Sequence, residues 1–243
     1  MNITKPSLQY EVNSEKTQGI PVIVVAAGSS TRMGQNKQLI SICGLPVLVR
    51  TLKAFQQCES VSNIILVASS ETVLEYQRLC DSYMLTKVSD IVEGGSNRQE
   101  SVLCGINRLK DSDEFALIHD GARPLVSEDI INRVIGGLKK YSAVTPVVKV
   151  KDTIKEIDQN GVVIKTVKRD ALVQVQTPQG VNVKQYLSAI KNKDLGLFTD
   201  DVSIFEAAGC KVLTVEGDYK NIKITTPEDV LVAEAFLKGD NVE

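Results

Sequence analysis

The sequence has no tryptophan and one histidine, and aromatic residues fill only 5% of its 243 positions. A core drawn from it must be aliphatic. The lone histidine, His119, argues against a Cys–His or Ser–His hydrolase, which needs an imidazole as base. Its cysteines (Cys43, Cys58, Cys80, Cys104 and Cys210) are odd in number, and no pair has metal-ligand spacing. They read as buried, reduced thiols of a cytoplasmic protein. Basic residues are in no excess: 28 Lys and Arg face 30 Asp and Glu, a net charge of -2. That excludes the footprint of a nucleic-acid binder but leaves room for a local cationic pocket. No apolar run reaches membrane-span length. The opening "MNITKPSLQYEVNSEKTQG" has no apolar signal core, so residues 1–19 are expected to be a polar lead-in. There is no internal repeat and no low-complexity tract.

What is there alternates. Short β-branched runs at 20–27, 63–69, 90–95, 115–120 and 143–148 are separated by segments with helical spacing at 47–58, 71–80, 99–110 and 127–141. Pro46 suits a first helical position and Ser127 an N-cap. The nearly continuous apolar run "IPVIVVAA" suits a strand buried on both faces. The order predicts an α/β fold: a doubly wound, mainly parallel, Rossmann-like sheet with helices on both faces. Residues 20–243 are expected to form one domain. Within it, 149–176 alternates polar and apolar residues around Asn160–Gly161, a pair favoured in tight hairpins, and predicts a β-hairpin arm. A bare ribbon is marginal in water, so the arm should pack on a second subunit or fold onto its own domain; the former reading, a homodimer, is preferred. Further on, Thr199 is expected to cap a helix ending at Gly209, and Thr226 a closing helix that starts at Pro227.

Three polar stretches, "AAGSSTRMG", "GGSNR" and "HDGARP", each follow a predicted strand. In an open α/β sheet they converge beyond the carboxyl edge, where ligands bind. In the first, Gly28 permits a turn and the short side chains let backbone N–H groups approach an anion. Arg32 offers a planar fork for phosphate oxygens and Lys37 a mobile point charge. Neither a Walker A loop nor a G-x-G-x-x-G fingerprint is present, which weakens an ATPase or dehydrogenase reading.

"AAGSSTRMG" followed by "NKQ" resembles the signature of the sugar-nucleotidyltransferase superfamily. With "GGSNRQESV", "HDGARP", "KDTIK", "RDALVQVQTPQ", "TDD" and "NIKITTPEDVLVAE" in order, the chain resembles, over about residues 20–238, the 2-C-methyl-D-erythritol 4-phosphate cytidylyltransferase family. Ser30 stands where many members have glycine; its small side chain should keep the loop. The resemblance implies transfer of the cytidylyl group of CTP to the polyol phosphate, with Mg²⁺ and release of pyrophosphate, in non-mevalonate isoprenoid synthesis. It implies that Ala26, Ala27 and Gly28 present backbone to CTP, and that Gly95, Ser96 and Ser101 meet base and ribose. Arg32 and Lys37 would hold the phosphates and Lys223 would reach the α-phosphate. Asp120, Ala122 and Arg123 would sit between the two substrates, Thr177 near them, and Thr199 on the polyol phosphate. Thr153 and Arg169, on the arm, would reach the partner subunit's site.

Bland readings stand beside these. Asp120 could serve only the Asp-Gly turn, Thr177 only the turn before Pro178, and His119 is expected to be structural. Two other functions remain: a cytidylyltransferase for another polyol phosphate such as ribitol 5-phosphate, or a non-catalytic nucleotide-binding subunit.

Overall fold

The computed structural model describes residues 19–28 and 36–239. Their elements follow in chain order: β1 (Ile20–Val25), β2 (Ser41–Ile42), β3 (Leu45–Pro46), α1 (Val47–Gln57), β4 (Val61–Ala68), α2 (Val73–Ser82), β5 (Val88–Glu93), α3 (Arg98–Ile106) and β6 (Phe115–Asp120). Then come α4 (Glu128–Leu138), β7 (Ala143–Lys149), β8 (Ile154–Ile157), β9 (Val163–Val167), β10 (Val173–Val175), β11 (Gln179–Asn182), α5 (Val183–Ile190), α6 (Val202–Ala207), β12 (Val212–Glu216) and α7 (Pro227–Gly239).

β1 lies between β4 and β6, parallel to both, and β5 closes one side. On the other side β11 runs antiparallel to β6 and β7. β10 continues along the same edge of β7, and β12 pairs in parallel with its opposite edge. The sheet is thus mainly parallel, as the alternation predicts, with β10 and β11 reversed.

Successive side chains of β1 feed opposite cores. Val22 and Val24 pack with α1, α2 and α4 residues such as Leu52, Tyr76 and Ile131. Ile23 packs with α3, α5 and α6 residues such as Val102, Tyr186 and Phe205. All three β1 side chains are fully buried. Each such aliphatic burial contributes about 1.5–3 kcal/mol relative to exposure. Gly105 lets α3 sit close, because a Cβ there would lie 2.4 Å from Ile23 Cγ2. α7 packs on β2 through a small cluster of Ile42, Val47, Ile224 and Ala233.

Several local expectations need correction. Pro46 occupies the N-cap of α1, with ψ 144°, so the helix begins one residue later. The hairpin is real, but its loop is longer than a two-residue Asn-Gly turn. The Asp158 N–H donates to Val162 O, and Asp158 Oδ1 accepts from the Asn160 and Val162 N–H groups. Gly161 then takes the left-handed position (φ +81°) that such a loop needs. Thr199 caps nothing: Asp200 Oδ1 accepts from the Ser203 N–H at 2.9 Å and supplies the α6 cap. At α7, Asp229 Oδ2 accepts from the Thr226 N–H at 2.8 Å, the returning half of a capping box.

All five cysteines are free, but only Cys58 and Cys80 are buried; Cys43 is exposed on the β2–β3 turn. Burial pushes the Cys80 thiol up to about 11, so it is a poor nucleophile. Among the described residues no helix is long and apolar enough to cross a membrane.

Candidate active site

A cavity of about 390 Å³ opens where β1, β5 and β6 end. Ala27 and Gly28 leave β1 along one wall. A short 3-10 turn brings Lys37 and Gln38. The β5–α3 loop supplies Gly95, Ser96, Asn97, Arg98 and Ser101. Asp120 and Ala122 come from the end of β6, and Lys223 from the segment before α7.

Local chemistry fixes each loop. Asn36 Oδ1 accepts from the Gln38 N–H, and its amide donates to Tyr76 Oη at 3.1 Å, so the turn carrying Lys37 is tied to α2. Asn97 caps α3 by accepting from the Glu100 N–H at 2.9 Å. Glu100 returns by accepting from the Ser96 N–H at 2.8 Å, closing a reciprocal cap. Ser101 Oγ accepts from the Gly95 N–H and donates to Asn97 O. The loop is held with the amino end of α3 at the cavity, where a helix favours anions. The Ile224 N–H donates to Ala122 O at 2.8 Å, which places Lys223 beside the β6 turn.

Charge is concentrated around Asp120. Its Oδ1 accepts from Arg98 Nε at 3.1 Å and its Oδ2 from Lys223 Nζ at 2.8 Å, with Arg123 Nε 3.8 Å away. Burial alone would raise the Asp120 carboxyl, but Arg98, Lys223 and Arg123 outweigh it and hold the group well below the usual carboxylate range. Arg98 also donates through Nη2 to Oδ2 of the fully buried Asp201 at 2.8 Å. Burial pushes Asp201 upward against that pairing.

His119 is fully buried and edge-on to Phe55. Burial pulls its pKa down to about 3, so the ring is neutral at physiological pH. Nε2 lies 3.2 Å from Arg123 O, which can only accept, so Nε2 carries the proton. Nδ1 then accepts from the Thr177 hydroxyl at 3.0 Å, and Thr177 Oγ1 accepts from the Asp120 N–H. His119 and Thr177 are the buried backing of Asp120.

The predicted residues thus divide. Ala27, Gly28, Lys37, Gly95, Ser96, Ser101, Asp120, Ala122 and Lys223 come together in one wall. Ala26 lies buried behind it, its N–H spent on Val67 O. Arg123 and Thr177 stand behind Asp120. Thr153 and Arg169, exposed on the arm, and Thr199, exposed before α6, do not line this chain's cavity. Arg32 and Ser30 lie outside the described residues. The sequence reading missed Arg98 and Asp201, although both stand in the quoted motifs. Their pairing joins positions 103 residues apart, and nothing local announces it.

A profile of IspD, 2-C-methyl-D-erythritol 4-phosphate cytidylyltransferase, matches residues 20–239. The chain belongs to this family. It is 48% identical over 222 residues to the 2-C-methyl-D-erythritol 4-phosphate cytidylyltransferase of Clostridium novyi, covering 89% of this chain and 96% of that one. It is 44% identical over 226 residues to the same enzyme of Clostridium beijerinckii, with 90% and 99% covered. A crystal structure of 4-diphosphocytidyl-2C-methyl-D-erythritol synthase from Anaerococcus prevotii superposes with a TM-score of 0.79 at 32% identity, over 91% of this chain and 96% of that chain. For the Thermus thermophilus cytidylyltransferase the values are 0.74 and 28%, over 90% and 99%.

The buried neutral His119 gives this cytidylyltransferase an acid sensitivity of definite sign. Its folded pKa lies below the unfolded value of about 6.5, so its contribution is complete above that pH. It falls by about 1.4 kcal/mol per pH unit below it, down to the folded value. Denaturant midpoints measured from pH 7.5 to 4.5 should fall less steeply for His119→Asn than for the parent chain. Equal slopes would mean that His119 titrates normally.

Proposed function

We propose that the cavity transfers the cytidylyl group of CTP to 2-C-methyl-D-erythritol 4-phosphate. A phosphate oxygen of the polyol attacks the α-phosphorus, the bond to the β-phosphate oxygen breaks, and pyrophosphate leaves with that electron pair. The observation carrying the reading is a cationic cleft, with Lys37 and Lys223 lining it, at the carboxyl edge of a parallel sheet and the amino end of α3. The attacking oxygen is already ionised, so the reaction needs no general base. It needs two anions brought together in line, with positive charge where charge builds. At 4 Å, like unit charges repel by about 4 kcal/mol at an effective dielectric of 20, so fixed cations are essential.

Ala27, Gly28, Gly95, Ser96 and Ser101 hold the nucleotide, with Ala26 supporting the loop. Arg32 and Lys37 take the phosphates, and Lys223 the α-phosphate. Mg²⁺ neutralises phosphate charge when bound. Asp120 already engages Arg98 and Lys223, which fits a cation held mainly by substrate oxygens.

The arm supports a homodimer. Ile157, Val162, Val163 and Ile164 are 55–62% exposed on β8, β9 and their loop, too much apolar surface for an isolated ribbon. Arg169 and Thr153 then serve the partner's site, with Asp120, Ala122, Arg123, Thr177 and Thr199 on the polyol side.

Pyrophosphate release with Mg²⁺, crossing four nucleoside triphosphates with methylerythritol and ribitol phosphates, tests the reaction. Release is expected only with CTP and 2-C-methyl-D-erythritol 4-phosphate. Preference for ribitol phosphate would move the assignment to another polyol, and silence from folded protein would leave a non-catalytic nucleotide binder. For the dimer, mixing inactive Arg169→Ala and Lys223→Ala chains should restore activity through mixed dimers. No recovery, with subunit exchange demonstrated, would refute a shared site.

A further inference from the structure

We propose that Arg98 is a positioning residue: its guanidinium bridges Asp201 and Asp120, and so fixes the carboxylate that presents Lys223 to the cavity. Four groups of alternating sign run outward from the core, namely Asp201, Arg98, Asp120 and Lys223. The successive contacts are 2.8, 3.1 and 2.8 Å. Asp201, at the inner end, is fully buried, and Lys223, at the outer end, is the most exposed of the four at 37%.

Two observations single out the inner pair. Asp201 stands at the N-cap of α6, where an aspartate normally accepts from the helix N–H groups, yet its side chain makes no capping bond. Asp200 does that work, and Asp201 is turned to Arg98. Arg98 is the first residue of α3, held by the Asn97 cap, and it grips the two acids through different nitrogens. A planar fork can do that; a lysine point charge cannot hold both geometries.

The arrangement matters when substrate arrives. Resting on the reading that Lys223 meets the α-phosphate, the ammonium exchanges part of its contact with Asp120 for a phosphate oxygen. Asp120 must then stay ionised and in place without its full share of Lys223. Arg98, anchored from behind, supplies that. The charged and titratable groups around Asp120 are Arg98 on α3, Arg123 after β6, His119 on β6, Lys223 before α7 and Asp201 on α6, with Lys37 also lining the cavity. Arg98, Lys223 and Arg123 all oppose protonation of Asp120.

The test is steady-state kinetics of Arg98→Gln and Arg98→Lys in the full chain, from pH 5 to 9. Arg98→Gln should lower kcat at least tenfold with KM for CTP changed less than threefold, and should add an acid limb between pH 5 and 7. Arg98→Lys, which keeps the charge but loses the fork, should remove the acid limb and recover only part of kcat. A lowered melting temperature with kcat per folded molecule and pH profile unchanged would make Arg98 merely structural and overturn the proposal. If Arg98→Gln does not fold, Asp201→Asn, of the same shape, should lower kcat in the same direction; an unchanged kcat would overturn it. Lys223→Ala separates the two readings. A normal rate there refutes the role given to Lys223, whereas an impaired Lys223→Ala beside a normal Arg98→Gln refutes the inference alone.

Discussion

The carboxylate of Asp120 is the point from which the charges of the cavity are arranged. Arg98, Arg123 and Lys223 come from three separate segments, and mutual repulsion would spread them in the absence of a common partner. One buried anion gathers them, with its two oxygens divided between Arg98 and Lys223. Breaking such a pair strands charge in a low dielectric at a cost of about 3–5 kcal/mol, so each member constrains the others. The neutral His119 and Thr177 beneath secure the backbone N–H of Asp120 without adding a charge that would disturb the count.

This anion also ties the fold to the site. Its position at the end of β6 is set by the parallel register with β1 and by β11 alongside. The segment bearing Lys223 is held twice: by Ile224 on Ala122, and by Asn221, whose amide donates to Thr177 O at 2.9 Å. Gln176 joins the same region, donating to Asp218 O at 2.7 Å just where β10 gives way to β11. The root of the arm and the approach to Lys223 are therefore one hydrogen-bonded unit. Tyr219 extends it, donating to Lys149 O and stacking under Lys151 Nζ at 3.5 Å from its ring centroid.

Much of this could be read from the chain because local rules and tertiary structure agree. The apolar run at 20–25 suits a doubly covered strand, and the Ser127 cap and the hairpin around Gly161 are where their residue types favour them. Polar stretches after strands β1, β5 and β6 marked the cavity wall, since in a parallel sheet they must emerge on one edge. What escaped depends on distance in sequence. In "TDD" Thr199 is the expected cap, but Asp200 caps α6 instead, and Arg98, 103 residues from Asp201, claims the second acid. Arg98 closes the polar stretch "GGSNR", and its local sequence does not name the acids it meets. Only the fold shows that it faces two acids rather than solvent.

The central claim is that Asp120 stays ionised because cations surround it, and a ¹³C-carboxyl NMR titration of Asp120 measures that directly. Its resonance should show no inflection from pH 7 down to the onset of acid unfolding, since the surrounding guanidinium and ammonium groups hold the carboxyl well below the ordinary range. An inflection near pH 4, at the value of an unperturbed aspartate, would contradict the account, because Asp120 would then be neither buried among cations nor able to order them.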